Sequence, residues 1–363
     1  MNSRFRFFFV LPVLISSLAV PGAFLAVPMQ AQTASASTSA QASFRILDQW
    51  KLSEPGSWGH LNFEARTGLL YIPRTGYLAV VDTATGKEIG KVPGFVDARA
   101  VALDDKGKYG YATDMTPWDI GYVRVFDRAT WQLVASIVVG RVPSAIIFDP
   151  VTKLVFAFST TGRNAAVIDT ATNQVVSTLS LPGKPHLAVS DGKGSIYVSF
   201  RGIGKLVRID TASRSIARTW PTEPCAEFHG LAFDAEHRLL LGTCYPQQLI
   251  AINADTGQVT PAGECAPDAT DLAFDPERHL LFSGSLRGVL RAYRQESPVK
   301  YSLESELPTA MRAGTITADP VKGRVYLVTS DFGPAPSRGP GMEESEAQQI
   351  PLAGTFRVIV AGR

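Results

Sequence analysis

Three histidines, His60, His186 and His229, and two carboxylates, Glu227 and Asp271, recur at corresponding points just ahead of apolar runs. Imidazole and carboxylate are the ligands of catalytic zinc and manganese centres, where a bound cation activates water for a hydrolase or lactonase. No HxH or HExxH spacing ties any two of these histidines to one element. A divalent metal at His60, His186 and His229 therefore depends wholly on tertiary structure, and no cofactor is predicted from spacing. Arg99, Arg141, Lys184 and Arg312 add cations at similar points, and Ser144 adds a hydroxyl. No Ser/His/Asp grouping marks a nucleophile with its base, so no catalytic residue is assigned.

The elements that position these side chains are repeats. A strand ending in Asp, a small polar turn and a second apolar strand return at Val80–Gly90 (VVDTATGKEIG), Val125–Ser136 (VFDRATWQLVAS) and Val167–Thr178 (VIDTATNQVVST). The anchors Asp82, Asp127, Asp169, Asp210 and Asn253 are spaced 45, 42, 41 and 43 residues apart. A second series, Asp104, Asp149, Asp191, Asp234, Asp275 and Asp319, keeps an interval of 41 to 45, with Glu64 in the same role at the start. Strand-like units at this period predict a propeller or solenoid. The Asp, Asn and Gly residues are expected to be turn formers whose side chains bond the local backbone.

The count predicts an all-β, seven-bladed β-propeller spanning residues 44–363. The last unit supplies only three strands, ending in FRVIVAGR at 356–363, so FRILDQWKL at Phe44–Leu52 is expected to be its fourth. Closing the ring with an N-terminal strand hides an edge that could otherwise pair with another chain.

The first residues carry Arg4 and Arg6, an apolar run from Phe7 to Val20 interrupted by Pro12, and small residues beyond. That is the pattern of a secretory signal over 1–31, cleaved after Ala31 or Ala36, with a flexible leader over 32–43. A periplasmic or secreted protein without a membrane span is expected. Loss of Arg4 and Arg6 takes the formal charge from +2 to 0, which argues against nucleic acid as a partner. In an oxidising compartment the three cysteines invite a disulfide. Cys225 and Cys244 flank an antiparallel pair so that their ends share a face, while Cys265 lies on that face and competes.

The repeats resemble the YVTN β-propeller repeat family of exported YncE-like proteins. The resemblance is carried by GRVPSAIIFDP at 140–150, LPGKPHLAVSDGKGSIYVSF at 181–200, CAEFHGLAFDAEHRLLLGTC at 225–244 and RVYLVTSDFGPAP at 324–336. It implies a secreted seven-bladed propeller, brings no catalytic motif, and favours the Cys225–Cys244 pairing. This chain departs from the family's pattern at Ser144, His186 and Gly314, where relatives tend to carry acidic or arginine residues.

In such a fold the loops entering the innermost strands and those between the second and third strands share one face, at the mouth of a central channel. That face is the expected ligand site, with His60, Arg99, Arg141, Ser144, Lys184, His186, Glu227, His229, Asp271 and Arg312. The loop Asp331–Thr355 falls on this face, where it is either a loop with no role or a lid over the channel, and Trp118 lies near the same face as a candidate aromatic surface. The function expected is a monomeric binding or scaffolding module for a protein, peptide or small molecule. The alternatives are a metal-dependent hydrolase or lactonase and a binder of single-stranded nucleic acid.

Overall fold

The repeated Asp and Asn residues end their strands by bonding the turns that follow. The Asp82 carboxylate accepts from the Ala84 N–H at 2.8 Å, Asp169 from Ala171 at 2.7 Å, and Asn253 from Thr256 at 2.9 Å. The other series behaves alike: Asp149 accepts from the Thr152 N–H at 2.9 Å and Asp319 from Lys322 at 3.0 Å. Each turn reverses the chain and returns it as an antiparallel neighbour.

The computed structural model describes residues 44–363 except 53, 55, 105, 118, 119 and 334–349. The signal and leader expected over 1–43, Trp118, and most of the loop Asp331–Thr355 lie outside the described residues. Within them the chain is an all-β propeller with no helix, and so no helix long and apolar enough to cross a membrane. Five principal sheets have four strands and one has six. The six-stranded sheet departs from the regular pattern because two of its strands are unbroken. Leu69–Asp82 runs for 14 residues and Lys87–Leu103 for 17. The first half of Lys87–Leu103 pairs with Tyr77–Asp82, whereas its second half pairs with Tyr109–Met115.

The innermost strands Pro143–Asp149, Pro185–Ser190, Phe228–Asp234, Ala269–Asp275 and Thr315–Asp319 lie side by side in that order. Thr315–Asp319 in turn lies beside Asn62–Glu64. Arg45–Lys51 pairs antiparallel with Arg357–Gly362, outermost in the sheet that also holds Arg324–Thr329 and Thr315–Asp319.

Buried apolar side chains among the described residues fall into seven clusters, each filling the seam between consecutive repeats. Two seams share one design. Between the last strands and the first, Tyr326 packs against Trp50 (ring centroids 5.6 Å apart) and Phe63 (5.6 Å). Trp50 lies over Gly86, where a Cβ would collide with its ring and φ is +70°. Around Phe228–Asp234, Tyr197 packs against Trp220 (6.4 Å) and Phe233 (5.7 Å), and Trp220 lies over Gly257 at φ +78°. Glycine is required at both turns because only it accepts this φ with a ring pressed on its α-carbon.

Cys225 and Cys244 form the disulfide, and Cys265 is a buried thiol. Burial pushes the Cys265 thiol up to about 11, so it stays protonated at neutral pH.

Trp50→Ala is expected to destabilise the fold by about 3 kcal/mol, and Trp220→Ala by a similar amount, in urea unfolding. A much smaller loss for Trp50→Ala would mean that the first and last strands are only loosely joined. Cys225→Ser/Cys244→Ser is likewise expected to cost about 3 kcal/mol through the freed loop, read from the same unfolding curves.

Candidate functional site at the channel mouth

The innermost strands converge on the channel, and at the mouth their pairing slips. Register shifts fall between Ala98 and Val101, Pro143 and Ala145, Pro185 and Ala188, Phe228 and Gly230, and Ala269 and Asp271. The residues passed over include Arg99, Ser144, His186, His229 and Thr270. A bulge leaves its extra residue unpaired and re-aims the side chain, which is how barrel rims and active sites gain inward groups. Four of the ten residues expected at the mouth occupy these slips.

His60 reaches the channel by a different route. Gly59 donates its N–H to Pro73 O at 3.1 Å, and His60 donates its own to Arg99 O at 2.7 Å. The Arg99 carbonyl fills the space a Cβ at Gly59 would need, so only glycine lets the two backbones meet here. The approach to this pair is fixed by Arg74, which is fully buried. Its guanidinium donates to Glu54 O at 2.8 Å and Ser57 O at 3.1 Å, and stacks on Phe356 at 3.4 Å.

Two cavities meet at His60 and His186, which line both. The outer basin holds about 410 Å³, bounded by Trp58, Arg99, Met115, Val142, Ser144 and Arg201 among others. The inner channel holds about 390 Å³. Below the histidines its wall mixes the polar side chains of Asn62, Asp271 and Thr317 with the apolar ones of Ile147, Phe233 and Phe274. Both volumes fall in the range of about 300–1,000 Å³ that suits small ligands.

The two histidines sit in opposed electrostatic settings. The His186 side chain is 15% exposed, and its Nδ1 lies 2.9 Å from Phe228 O. A carbonyl can only accept, so Nδ1 carries the proton and neutral His186 keeps a bare Nε2. Burial and then the Arg201 charge depress its pKa to about 4, against the opposing pull of the Phe228 carbonyl. For His60, desolvation within the channel favours the neutral ring. The Asp271 carboxylate, 3.9 Å from its Nδ1, outweighs that effect and raises its pKa above the ordinary value. Asp271 is itself held by the N–H groups of Leu272 at 3.0 Å and Ile316 at 3.3 Å.

His60, Arg99, Ser144, His186 and Asp271 thus line the two joined cavities. Glu227 stands beside them, 3.4 Å from Arg201 and 3.9 Å from His186. Lys184 is exposed and gives its carbonyl to the Arg201 N–H at 3.0 Å. Arg141 precedes Val142 outside the basin lining, and its carbonyl accepts from the Gly162 N–H at 3.3 Å. His229 faces a separate cleft of about 180 Å³ beside Cys244, Tyr245 and Cys265. Arg312 stacks on Phe332 at 4.6 Å, away from both cavities. Among the described residues, no three His, Cys, Asp or Glu side chains converge closely enough to hold a metal ion. His60, His186 and His229 are not drawn into one ligand set.

Sequence reasoning missed Trp58, Met115, Thr160 and Arg201 as lining residues. Arg201 and Thr160 follow second strands, whose loops were expected at the mouth, so that rule applied to every repeat would have found them. Trp58 gave no such signal, since it lies between Arg45–Lys51 and Asn62–Glu64 as an isolated bridge opposite Arg74.

No family model and no curated protein matches the sequence. Solved propellers resemble its fold. A Kuenenia stuttgartiensis hydrazine synthase chain superposes with a TM-score of 0.66 at 18% identity, covering 76% of this chain and 93% of that one. A chain from the crystal structure of a mitotic checkpoint complex gives 0.65 at 14% identity, covering 87% and 95%. At these identities the likeness shows the fold alone.

An NMR titration of the histidine rings is expected to find His186 neutral, with the proton on Nδ1, down to about pH 4. His60 should titrate above 6.5. Between 6.5 and about 4 the unfolded chain takes up a proton that folded His186 refuses, so this residue subtracts stability as pH falls through that window. His60 acts oppositely: the folded chain binds its proton first, and its contribution grows as pH falls through its raised folded value. Two rings titrating together near 6.5 would contradict these opposed settings of His60 and His186.

Proposed function

We propose that the chain is an exported, seven-bladed β-propeller of the YVTN-repeat, YncE-like kind, and that its channel mouth is the ligand site of a binding module. Support for seven blades comes from reading each unbroken strand, Leu69–Asp82 and Lys87–Leu103, as two successive blade strands. The six-stranded sheet then supplies two blades of four. The matching Trp50/Tyr326 and Trp220/Tyr197 seams support closure by the N-terminal strand, because the joint between last and first strands repeats one within the ring. Export is supported by the Arg4, Arg6 and Phe7–Val20 pattern and by a disulfide, which persists in oxidising compartments.

The observation that carries the binding reading is the His60–His186 collar. Side chains from separate repeats, far apart in sequence, converge where a basin meets a channel, His186 against the Phe228 carbonyl and His60 beside the Asp271 carboxylate. Convergent polar groups in a concave site of this size are what small-molecule sites are built from. Val142 forms part of the basin wall with φ at 54°, the one β-branched residue with positive φ among those described. Such a conformation costs about 1–3 kcal/mol and gathers at functional sites.

The small-molecule fraction of a periplasmic extract is expected to raise the Tm of the wild-type protein and to leave Ser144→Trp, which fills the basin, unshifted. Equal shifts in both proteins, or none in either, would contradict a ligand site at the mouth. Elemental analysis of the same preparation tests the metal-dependent alternative: a stoichiometric cation lost in His60→Ala/His186→Ala would favour an enzyme at the mouth.

A further inference from the structure

The lining of the joined cavities identifies the class of ligand, given that the mouth is a ligand site. The basin presents the guanidiniums of Arg99 and Arg201, the imidazoles of His60 and His186, and the hydroxyls of Ser144, Thr160 and Thr315, with no carboxylate in its wall. Each arginine has one acidic partner outside that lining. Asp97 holds one nitrogen of Arg99 at 2.5 Å, and Glu227 holds one nitrogen of Arg201 at 3.4 Å. Each fork is steadied by one contact and keeps most of its N–H donors for a ligand. Donors of this kind, arranged in a fork, match a carboxylate.

The rest of the site rejects two other occupants. A polyanion needs a continuous cationic track, whereas this face alternates Arg99 with Asp97, Arg201 with Glu227, and Arg287 with Asp268. A free inorganic anion would leave the apolar surfaces unused. Trp58, Met115 and Val142 line the basin, and beyond the collar Ile147, Phe233 and Phe274 line the channel. Asp271 at the throat does not oppose an anion strongly, because two backbone N–H groups and the His60 ring already answer its charge.

We infer that the two cavities together take an amphipathic monocarboxylate, its carboxylate between Arg99 and Arg201 and its apolar tail passing His60 and His186 into the channel. The head is read by charge-assisted hydrogen bonds. The tail is read by the area it buries.

Calorimetric titration of the wild-type protein with straight-chain carboxylates, set against their primary amides, tests this without altering the fold. Each carboxylate is expected to bind at least about tenfold more tightly than its amide. Affinity should rise roughly fourfold per added methylene until the channel is filled. Arg99→Gln/Arg201→Gln, checked for an unchanged circular dichroism spectrum, should weaken carboxylate binding at least about tenfold while leaving the amides unaffected. Amides that bind as well as the acids would overturn the inference. So would inorganic phosphate binding as tightly, or a thymidine oligonucleotide that outcompetes the acids. Carboxylates that fail to bind a protein whose Ser144→Trp variant loses the extract-induced Tm shift would refute this ligand class and leave the mouth site standing. Failure of both experiments would refute the site itself.

Discussion

His60 reaches the throat because the first and last strands of the chain are locked together. Trp50 packs between Tyr326 and Gly86, and Arg74, fully buried, stacks on Phe356 while holding the carbonyls of Glu54 and Ser57. These contacts set the path of Trp58 and Gly59, and hence the direction of the His60 ring. Each inner strand brings only one or two groups to the mouth. The distance from His60 to Asp271 is therefore a property of the whole assembly of sheets, not of either strand. A rigid support of this kind holds a site in place without ordering it at the moment of binding.

The second constraint is the crowding of inner strands around the channel. Regular pairing continued to the mouth would aim alternate side chains into the seams. The slips at Arg99, Ser144, His186, His229 and Thr270 break that alternation at the end where a ligand would enter. The opposite face carries slips of its own, between Val80 and Val81, Val125 and Phe126, Val167 and Ile168, and Arg208 and Ile209, but these fall between the two outer strands of each sheet, just before the anchors Asp82, Asp127, Asp169 and Asp210.

Much of this was legible in the sequence because turn chemistry is local. The Asp and Asn anchors report contacts made within a few residues of themselves, so the period could be read directly, whereas the Cys225–Cys244 bridge was favoured by the resemblance while Cys265 stayed in competition on the same face. The unbroken strands Leu69–Asp82 and Lys87–Leu103 could not, since nothing in their composition separates a continuous strand from two joined at a corner. The site was legible by position but not by partner. Ser144 and His186 were placed at the mouth from their register, yet the pairing of His60 with Asp271 and the turning away of His229 toward Cys265 depend on the curvature of the assembled sheets.

The most direct measurement is a crystal structure of the protein soaked with 4-iodophenylacetate, the iodine located by its anomalous scattering. The account predicts a carboxylate between Arg99 and Arg201 and an iodine peak beyond His60 and His186, against Phe233 or Phe274. An iodine peak outside the channel with the carboxylate away from both arginines, or no ordered ligand at saturating concentration, would contradict it.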